Sequence, residues 1–170
     1  MSLSRVEAGK HELPPTVLDL RELAEQVVSG MTSLHGKDRI VLDADPHPMP
    51  VRGDTQQLDQ LMRNLIDNAM KYGSKSEPVR VTAKYGEASY ELTVADSGEG
   101  IAPEHLPHLT RRFYRTDPGR SRAAGGTGLG LAIVKHIVER HRGRLDIASE
   151  LGVGTTITVR LPRHVEDESQ

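Results

Sequence analysis

The chain has 170 residues, a formal net charge of −2 and no cysteine. This length fits one domain with a substantial hydrophobic core, and the balanced charge gives no reason to expect nucleic acid as the main partner. The lack of cysteine excludes disulfides, and the apolar runs are far shorter than a membrane span.

The first third of the chain predicts a linker, two helices and two short strands. Residues 1–17 are interpreted as an added leader, the end of one helix and a linker broken by prolines in "ELPPT". Apolar spacing predicts a helix over "DLRELAEQVVSGMTSLHG", with Asp19 as its N-cap and Glu22 completing a box-like pattern. "RIVLDA" and "MPVRG" are predicted strands, and residues 54–72 form a predicted second helix.

The remaining elements indicate a sheet covered by helices. "PVRVTAKY" and "SYELTVAD" alternate apolar and polar residues, as half-buried antiparallel strands do. A long irregular stretch over 97–126, with a short helix near 103–109, precedes a third helix over about 127–140, whose predicted apolar side is Leu129, Ala132, Ile133, His136 and Ile137. "GRLDIAS" and "TTITVRLP" form a last strand pair, and residues 164–170 a disordered tail. The predicted fold is α+β: a two-layer α/β sandwich with three main helices on one face of a mostly antiparallel mixed sheet.

A polar ribbon runs beside the apolar face of the second helix. Gln60, Asn64, Asn68 and Lys71 recur at helical spacing. Asparagine carbonyl oxygens suit a hard cation already bound to phosphate, and the lysine adds a charge for phosphate. Taken alone, this helix is better explained as a solvated face.

Three further segments carry polar or glycine-rich signals. In "VADSGEGIA", Asp96 ends a strand and can accept a hydrogen bond from an exocyclic amine, although that segment taken alone is better explained as an acidic β-turn. "RRFYR" places arginines around Phe113 and suits a flap over an anionic ligand, or a basic surface loop. "GGTGLGLAIVKHI" is a glycine-rich turn that leads into a helix. Such turns often bind phosphates, but this one lacks the lysine of a P-loop.

Together and in this order, five segments resemble the N, G1, F, G2 and G3 boxes of sensor histidine kinases. They are "LMRNLIDNAMKY", "DSGEGI", "RRFYR", "GGTGLGLAIVKHI" and "GVGTTITV", and they cover about residues 54–162. The resemblance implies a Bergerat-type ATP-binding fold over residues 18–163, with an ATP lid at about 104–127. "LSRVEAGK" at the start is similar to the tail of the kinase dimerisation hairpin.

The resemblance also implies roles for individual residues. Asn68 would bind Mg²⁺ with support from Asn64, Asp96 would read the adenine amine above Gly100, and Thr155 would reach the adenine through water. The implied catalytic residues are Asn64, Asn68, Lys71, Arg112 and Arg115. The implied nucleotide contacts are Asn64, Asn68, Lys71, Tyr72, Asp96, Gly98, Gly100, Ile101, Phe113, Gly126, Thr127, Gly128, Leu129, Gly130, Leu131 and Thr155.

The phosphoacceptor histidine of the family is not recognised in this chain. "HELPP" contains His11, but it follows the hairpin tail instead of lying upstream of it, and its prolines would break the helix that an acceptor needs. His105 and His108 have a metal-like spacing but are better explained as exposed loop residues than as a zinc site. "HLT" before the F box and "HRGR" at 141–144 depart from the family pattern without removing a nucleotide contact.

The leading prediction is therefore the catalytic domain of a protein-histidine kinase in a two-component system, using ATP and Mg²⁺. Its implied partners are the dimerisation helices of the parent kinase and a response regulator receiver domain. The fragment is expected to be a monomer and the parent kinase a homodimer. The domain is expected to lie in the cytoplasm, as part of an inner-membrane sensor protein. The alternatives are an ATPase of the gyrase type, an anti-sigma serine kinase and a non-catalytic ATP-sensing module. The gyrase-type ATPases use a glutamate base where this chain has Asn64, which cannot take a proton near neutral pH.

Overall fold

The computed structural model describes Pro14, residues 16–36, 38–74 and 76–101, Glu104 and residues 130–164. The predicted short helix near 103–109 and most of the long irregular stretch lie outside the described residues. In chain order the elements are β1 (Val17–Asp19), α1 (Leu20–His35), β2 (Ile40–Ala44), β3 (Pro50–Arg52), α2 (Thr55–Tyr72), β4 (Val79–Tyr85), β5 (Ser89–Asp96), α3 (Gly130–Arg140), β6 (Arg144–Glu150) and β7 (Gly154–Pro162).

A five-stranded mixed sheet forms one layer of the fold, in the order β2-β4-β5-β7-β6. Only the β2–β4 pair is parallel, and the other three pairs are antiparallel. Helices pack on the sheet and bury its alternating apolar residues, among them Val81, Leu92 and Val159. The predicted two-layer α+β class is therefore confirmed.

The small sheet of β1 and β3 was not predicted. Val17 pairs with Arg52 and Asp19 with Pro50, and the backbone N–H of Gly53 donates to the carbonyl of Thr16. The predicted linker therefore contributes its last residues to the folded domain. A three-residue strand has too short a pattern to be recognised from sequence, because its pairing with β3 spans about thirty intervening positions.

Helix α1 follows its sequence prediction. Asp19 is the N-cap, and its carboxylate accepts hydrogen bonds from the backbone N–H groups of Arg21 and Glu22. The same carboxylate oxygen accepts from the N–H of Met49, which lies just before β3. The cap therefore fixes the start of the helix against the small sheet. The apolar residues whose spacing predicted the helix are all buried: Leu20, Leu23, Ala24, Val27, Val28 and Met31.

Helix α3 matches its predicted apolar side at Ile137, which is buried, and at Ile133, which packs against the core, but differs from it at His136. Val134, Ile137 and Val138 are buried, whereas His136 is exposed. The apolar face is centred on Val134 and Val138, because α3 packs on α2 as well as on the sheet. Leu129, on the same predicted side, lies outside the described residues.

His141 joins the end of α3 to the start of α2. It is only 1% exposed, its Nδ1 lies 2.8 Å from the carbonyl oxygen of Ile137, and its Nε2 accepts from the backbone N–H of Asp54 at 3.0 Å. Asp54 is the N-cap of α2. Because Nε2 accepts, the ring is neutral with its proton on Nδ1. Burial lowers the pKa of His141. The hydrogen bond to the Ile137 carbonyl is the main opposing contribution, Arg140 lowers the pKa further, and Asp54 makes the smallest contribution, which raises it.

Among the described residues, no helix combines the length and apolar character needed to cross a bilayer.

We predict that His141 makes the unfolding free energy fall at mildly acidic pH. Its pKa is lower in the folded protein than in the unfolded chain, so below the unfolded value of about 6.5 the unfolded chain gains the proton first. The contribution of neutral His141 to the free energy of unfolding is therefore fully present above about pH 6.5. It is lost as the pH falls from about 6.5 toward the lower pKa that His141 has in the folded protein. His141→Phe should lose this component, and should cost about 1–3 kcal/mol at pH 7.5 because the Asp54 N–H loses its acceptor.

Denaturant unfolding between pH 5 and 8 tests this prediction. His136→Gln is the matched control, because it removes an exposed histidine from α3, the helix that ends just before His141. An unchanged pH slope in His141→Phe would contradict the assignment of that slope to His141.

Candidate functional site

The helix-facing side of the sheet changes from apolar to polar in its last row. Along β5, β7 and β6, the pairings Leu92↔Val159↔Leu145 and Val94↔Ile157↔Ile147 bring apolar residues together in successive rows. The next row in the same direction is Asp96↔Thr155↔Ser149. Because side chains alternate between faces with period two, these three polar side chains lie on the same face as the core rows. The sheet therefore ends in a polar edge beneath the helices.

Asp96 is a half-buried carboxylate at the end of β5. Its Oδ1 accepts from the backbone N–H of Gly98 at 2.9 Å. Burial raises the pKa of Asp96, and backbone hydrogen bonds from Gly98 and Thr155 oppose that rise. Asp96 thus has the backbone support that holds a carboxylate in a partly desolvated place, and it can accept a further hydrogen bond from a ligand.

The turn after Asp96 is packed too closely for side chains larger than hydrogen. A Cβ at Gly98 would collide with the carbonyl oxygen of Tyr72, the last residue of α2. Gly100 has a φ of 79°, and a Cβ there would collide with the carbonyl oxygen of Glu150 in β6. Both glycines predicted in the nucleotide site therefore fix the Asp96 turn between the end of α2 and the end of β6.

The predicted polar ribbon lies on one side of α2. Asn64 and Asn68 are half-buried and one turn apart, whereas Gln60 is exposed. Lys71 is half-buried and forms an ion pair with Asp67, with 3.2 Å between Nζ and Oδ2. Such a partly exposed pair contributes only about 0–1 kcal/mol, so an anionic ligand can replace it. Tyr72 follows at the end of the helix, beside the Gly98 turn.

Helix α3 begins at Gly130, which is exposed, and Leu131 is half-buried. A Cβ at Gly130 would meet no described atom within 4 Å, so its described surroundings do not require glycine there. Seven predicted site residues lie outside the described residues: Arg112, Phe113, Arg115, Gly126, Thr127, Gly128 and Leu129.

Ser149 and His141 were missed by the sequence analysis. The Ser149 hydroxyl contacts three groups of the polar edge: the N–H of Ile101 at 2.7 Å, the Thr155 hydroxyl at 2.8 Å and the Gly154 carbonyl at 3.0 Å. The alternation Leu145, Ile147, Ser149 would have placed it on the inner face of its strand. Its partners, however, are set by the pairing of β6 with β7, which the sequence does not show.

Comparison with known proteins relates this geometry to a family. A model of the histidine kinase-, DNA gyrase B- and HSP90-like ATPases matches residues 53–165. The chain is 39% identical over 149 residues to the sensor histidine kinase YkoH of Bacillus subtilis, and 46% identical over 110 residues to the sensor protein SrrB of Staphylococcus aureus. These matches cover 88% and 65% of this chain but 32% and 19% of the relatives.

Solved structures agree with that relationship. The mycobacterial sensor histidine kinase MprB matches with a TM-score of 0.75 and 28% identity, over 89% of this chain and 99% of that one. Full-length ShkA in complex with AMPPNP matches with a TM-score of 0.75 and 26% identity, over 94% of this chain and 33% of that one. The chain therefore belongs to the family of histidine kinase-, DNA gyrase B- and HSP90-like ATPases, as a catalytic domain of the sensor histidine kinase branch.

Proposed function

We propose that this domain binds Mg²⁺-ATP between α2 and the polar edge of the sheet, and transfers the γ-phosphate to a histidine on another domain. The observation that carries the proposal is Asp96, a half-buried carboxylate supported by the Gly98 N–H at the one polar row of the described inner sheet face. Its carboxylate accepts the hydrogen bond of the adenine amine. Thr155, its neighbour across β5 and β7, reaches the base through a water molecule.

The residues of α2 fit a magnesium ion that arrives with its nucleotide. Asn64 and Asn68 offer neutral oxygens one turn apart, and no group of three or more His, Asp, Glu or Cys side chains suited to a metal occurs among the described residues. Neutral ligands bind Mg²⁺ well when phosphates supply the negative charge. Asn68 would hold the ion with Asn64 in support, and the ion would neutralise phosphate charge. Lys71 would exchange Asp67 for a phosphate oxygen.

The chain supplies positioning more than proton transfer. Phosphoryl transfer depends mainly on holding donor and acceptor in line and neutralising charge. Asn64 cannot serve as a general base for water near neutral pH, which favours transfer to a protein nucleophile over hydrolysis. Arg112, Arg115 and Phe113 would close over the nucleotide, and Gly126, Thr127, Gly128 and Leu129 would present the start of α3 to the phosphates. These last roles rest on the sequence resemblance alone.

The proposed phosphoacceptor and the proposed signalling partner both lie outside this chain. The chain spans about a third or less of the length of the curated relatives cited above. We propose that the phosphoacceptor histidine lies on a dimerisation helix of the parent kinase and that a response regulator takes the phosphoryl group from it. The parent is then a homodimeric membrane-bound sensor with this domain in the cytoplasm. His11 lies outside the described residues and is not the proposed acceptor.

Replacing Asp96 tests the adenine contact. Asp96→Asn should weaken ATP binding about 5- to 100-fold, the size of a lost hydrogen bond with an unsatisfied polar partner. Burial raises the pKa of Asp96 above its ordinary value of 3.8. At any pH above that value, the ionised carboxylate therefore lowers the free energy of unfolding. The variant should therefore be as stable as the parent or more stable at pH 7.5.

Calorimetric titration with ATP and GTP, together with thermal unfolding, gives both quantities. Asp43→Asn is the control, since Asp43 lies on β2 and pairs with Lys84 at 3.3 Å. Undiminished ATP affinity in Asp96→Asn, or equal affinity of the parent domain for GTP, would refute the adenine assignment.

Replacing Asn68 tests the metal contact. In the parent domain ATP should bind more tightly with Mg²⁺ than with EDTA. Asn68→Ala should reduce the ratio of the ATP affinity with Mg²⁺ to the ATP affinity with EDTA about tenfold or more, as expected when a group around a bound metal is removed. Gln56→Ala, an exposed substitution in the first turn of the same helix, should leave it unchanged. A full magnesium effect in Asn68→Ala would rule out Asn68 as the ligand.

Mixing domains tests the reaction. With [γ-³²P]ATP, this chain should label itself poorly but should phosphorylate a separately produced dimerisation hairpin of its parent protein. The product should be acid-labile and base-stable, as a phosphoramidate is. Transfer should be slow, because separation lowers the effective concentration of the acceptor. His11→Ala should change nothing; a stable phosphohistidine on this chain that disappears in His11→Ala would overturn the domain assignment.

A further inference from the structure

The Ser149 hydroxyl lies at the centre of the polar edge. It is within hydrogen-bond distance of the Ile101 N–H, the Thr155 hydroxyl and the Gly154 carbonyl, at 2.7, 2.8 and 3.0 Å. Ile101 is 48 positions away in the sequence and ends the turn that begins at Asp96. One side chain of β6 therefore joins the Asp96 turn to the first two residues of β7, Gly154 and Thr155.

The direction of each of these hydrogen bonds follows from the number of protons. A serine hydroxyl has one proton and two lone pairs. The Gly154 carbonyl can only accept, so it takes the Ser149 proton, and the Ile101 N–H can only donate, so it occupies one lone pair. Thr155 must then donate its own hydroxyl proton to the remaining lone pair of Ser149. The Thr155 oxygen is left with lone pairs alone to offer to anything else.

We propose that Ser149 is a positioning residue for purine selection, which orients Thr155 as a hydrogen-bond acceptor so that the site prefers 6-amino over 6-oxo purine nucleotides. The inference rests on the proposed binding of ATP at Asp96 and adds a second source of selectivity to it. Ser149 makes no contact with the base in this account; it acts through Thr155, which is only 7% exposed.

The selectivity follows from what the two acceptors do to a bridging water. An ionised Asp96 and a Thr155 whose proton is committed to Ser149 both draw the protons of such a water toward the protein. The water oxygen then presents lone pairs to the base. At the 6-position an adenine amine can donate to these lone pairs, whereas the 6-carbonyl of hypoxanthine is a second acceptor. The neighbouring N1–H of hypoxanthine is still a donor, so the unsatisfied polar contact is confined to the 6-position.

Removing the Ser149 hydroxyl should free Thr155 to rotate and donate. In Ser149→Ala, the preference for ATP over inosine triphosphate should narrow about three- to tenfold, the usual size of one hydrogen bond. ATP should account for most of the change by binding less tightly. Ser149→Cys keeps the volume but has a weak donor and acceptor, so it should behave like Ser149→Ala. Ser149→Thr keeps the hydroxyl and should retain the preference.

The experiment is a calorimetric titration of each folded variant with ATP and with inosine triphosphate, in the presence of Mg²⁺. Ser89→Ala, at the other end of β5, is the control and should match the parent. In a Thr155→Val background, adding Ser149→Ala should no longer alter the ratio of the two affinities, because the hydroxyl through which Ser149 acts is gone.

The ratio of the ATP affinity to the inosine triphosphate affinity distinguishes a role of Ser149 in base selection from a purely structural role. If Ser149→Ala and Ser149→Cys weaken both nucleotides in parallel and leave the ratio at the parent value, Ser149 is only structural and the inference is overturned. If Ser149→Ala does not fold, the ratio in Ser149→Cys decides. If the unsubstituted domain fails to bind ATP, or does not prefer ATP to inosine triphosphate, the proposed function itself is contradicted. If the unsubstituted domain prefers ATP and the Ser149 variants keep the same affinity ratio, only the role of Ser149 is contradicted.

Discussion

The close backbone packing of the turn after β5 is the constraint on which the site depends. Gly98 touches the last carbonyl of α2, and Gly100 touches the carbonyl of Glu150 at the end of β6. Any larger side chain at either position would push these segments apart. Because the turn is held there, the half-buried carboxylate of Asp96 lies next to the end of the helix that carries Asn64 and Asn68. The proposed base contact and the proposed phosphate contacts thus belong to one corner of the fold.

Burial of apolar residues in the core offsets the free energy lost by burying polar groups at this corner. Successive inner rows of the sheet are apolar, and they pack against buried faces of the helices that include Leu61, Leu65 and Val138. Only the last row is polar. Burial works against the ionised form of Asp96, and the hydrogen bonds from the backbone of Gly98 and Thr155 offset part of that penalty. A carboxylate kept in such a place at the expense of stability is typical of a binding site.

The sequence predicted those features whose causes are local. Helical periodicity identified the buried faces of α1 and α2, and strand alternation placed Asp96 at the inner end of β5. The motif order pointed to the family. The α3 face was wrong at His136, because a short amphipathic helix that packs on two elements has a buried side set by its neighbours. Ser149 and His141 were missed for a related reason: their partners, Ile101 and Asp54, are 48 and 87 positions distant. Such hydrogen bonds depend on strand register and helix packing, which no local pattern encodes.

The central claim is that ATP binds at the corner between the polar edge of the sheet and α2. An amide NMR titration of the isotope-labelled domain with Mg²⁺ and a non-hydrolysable ATP analogue tests it most directly. We expect the largest shifts among the described residues at Asp96, Gly98, Thr155 and the end of α2 near Asn68. Little change is expected at Tyr85 and His47, whose rings stack at the far end of β4. Shifts centred on that far end, with the Asp96 turn unaffected, would contradict it.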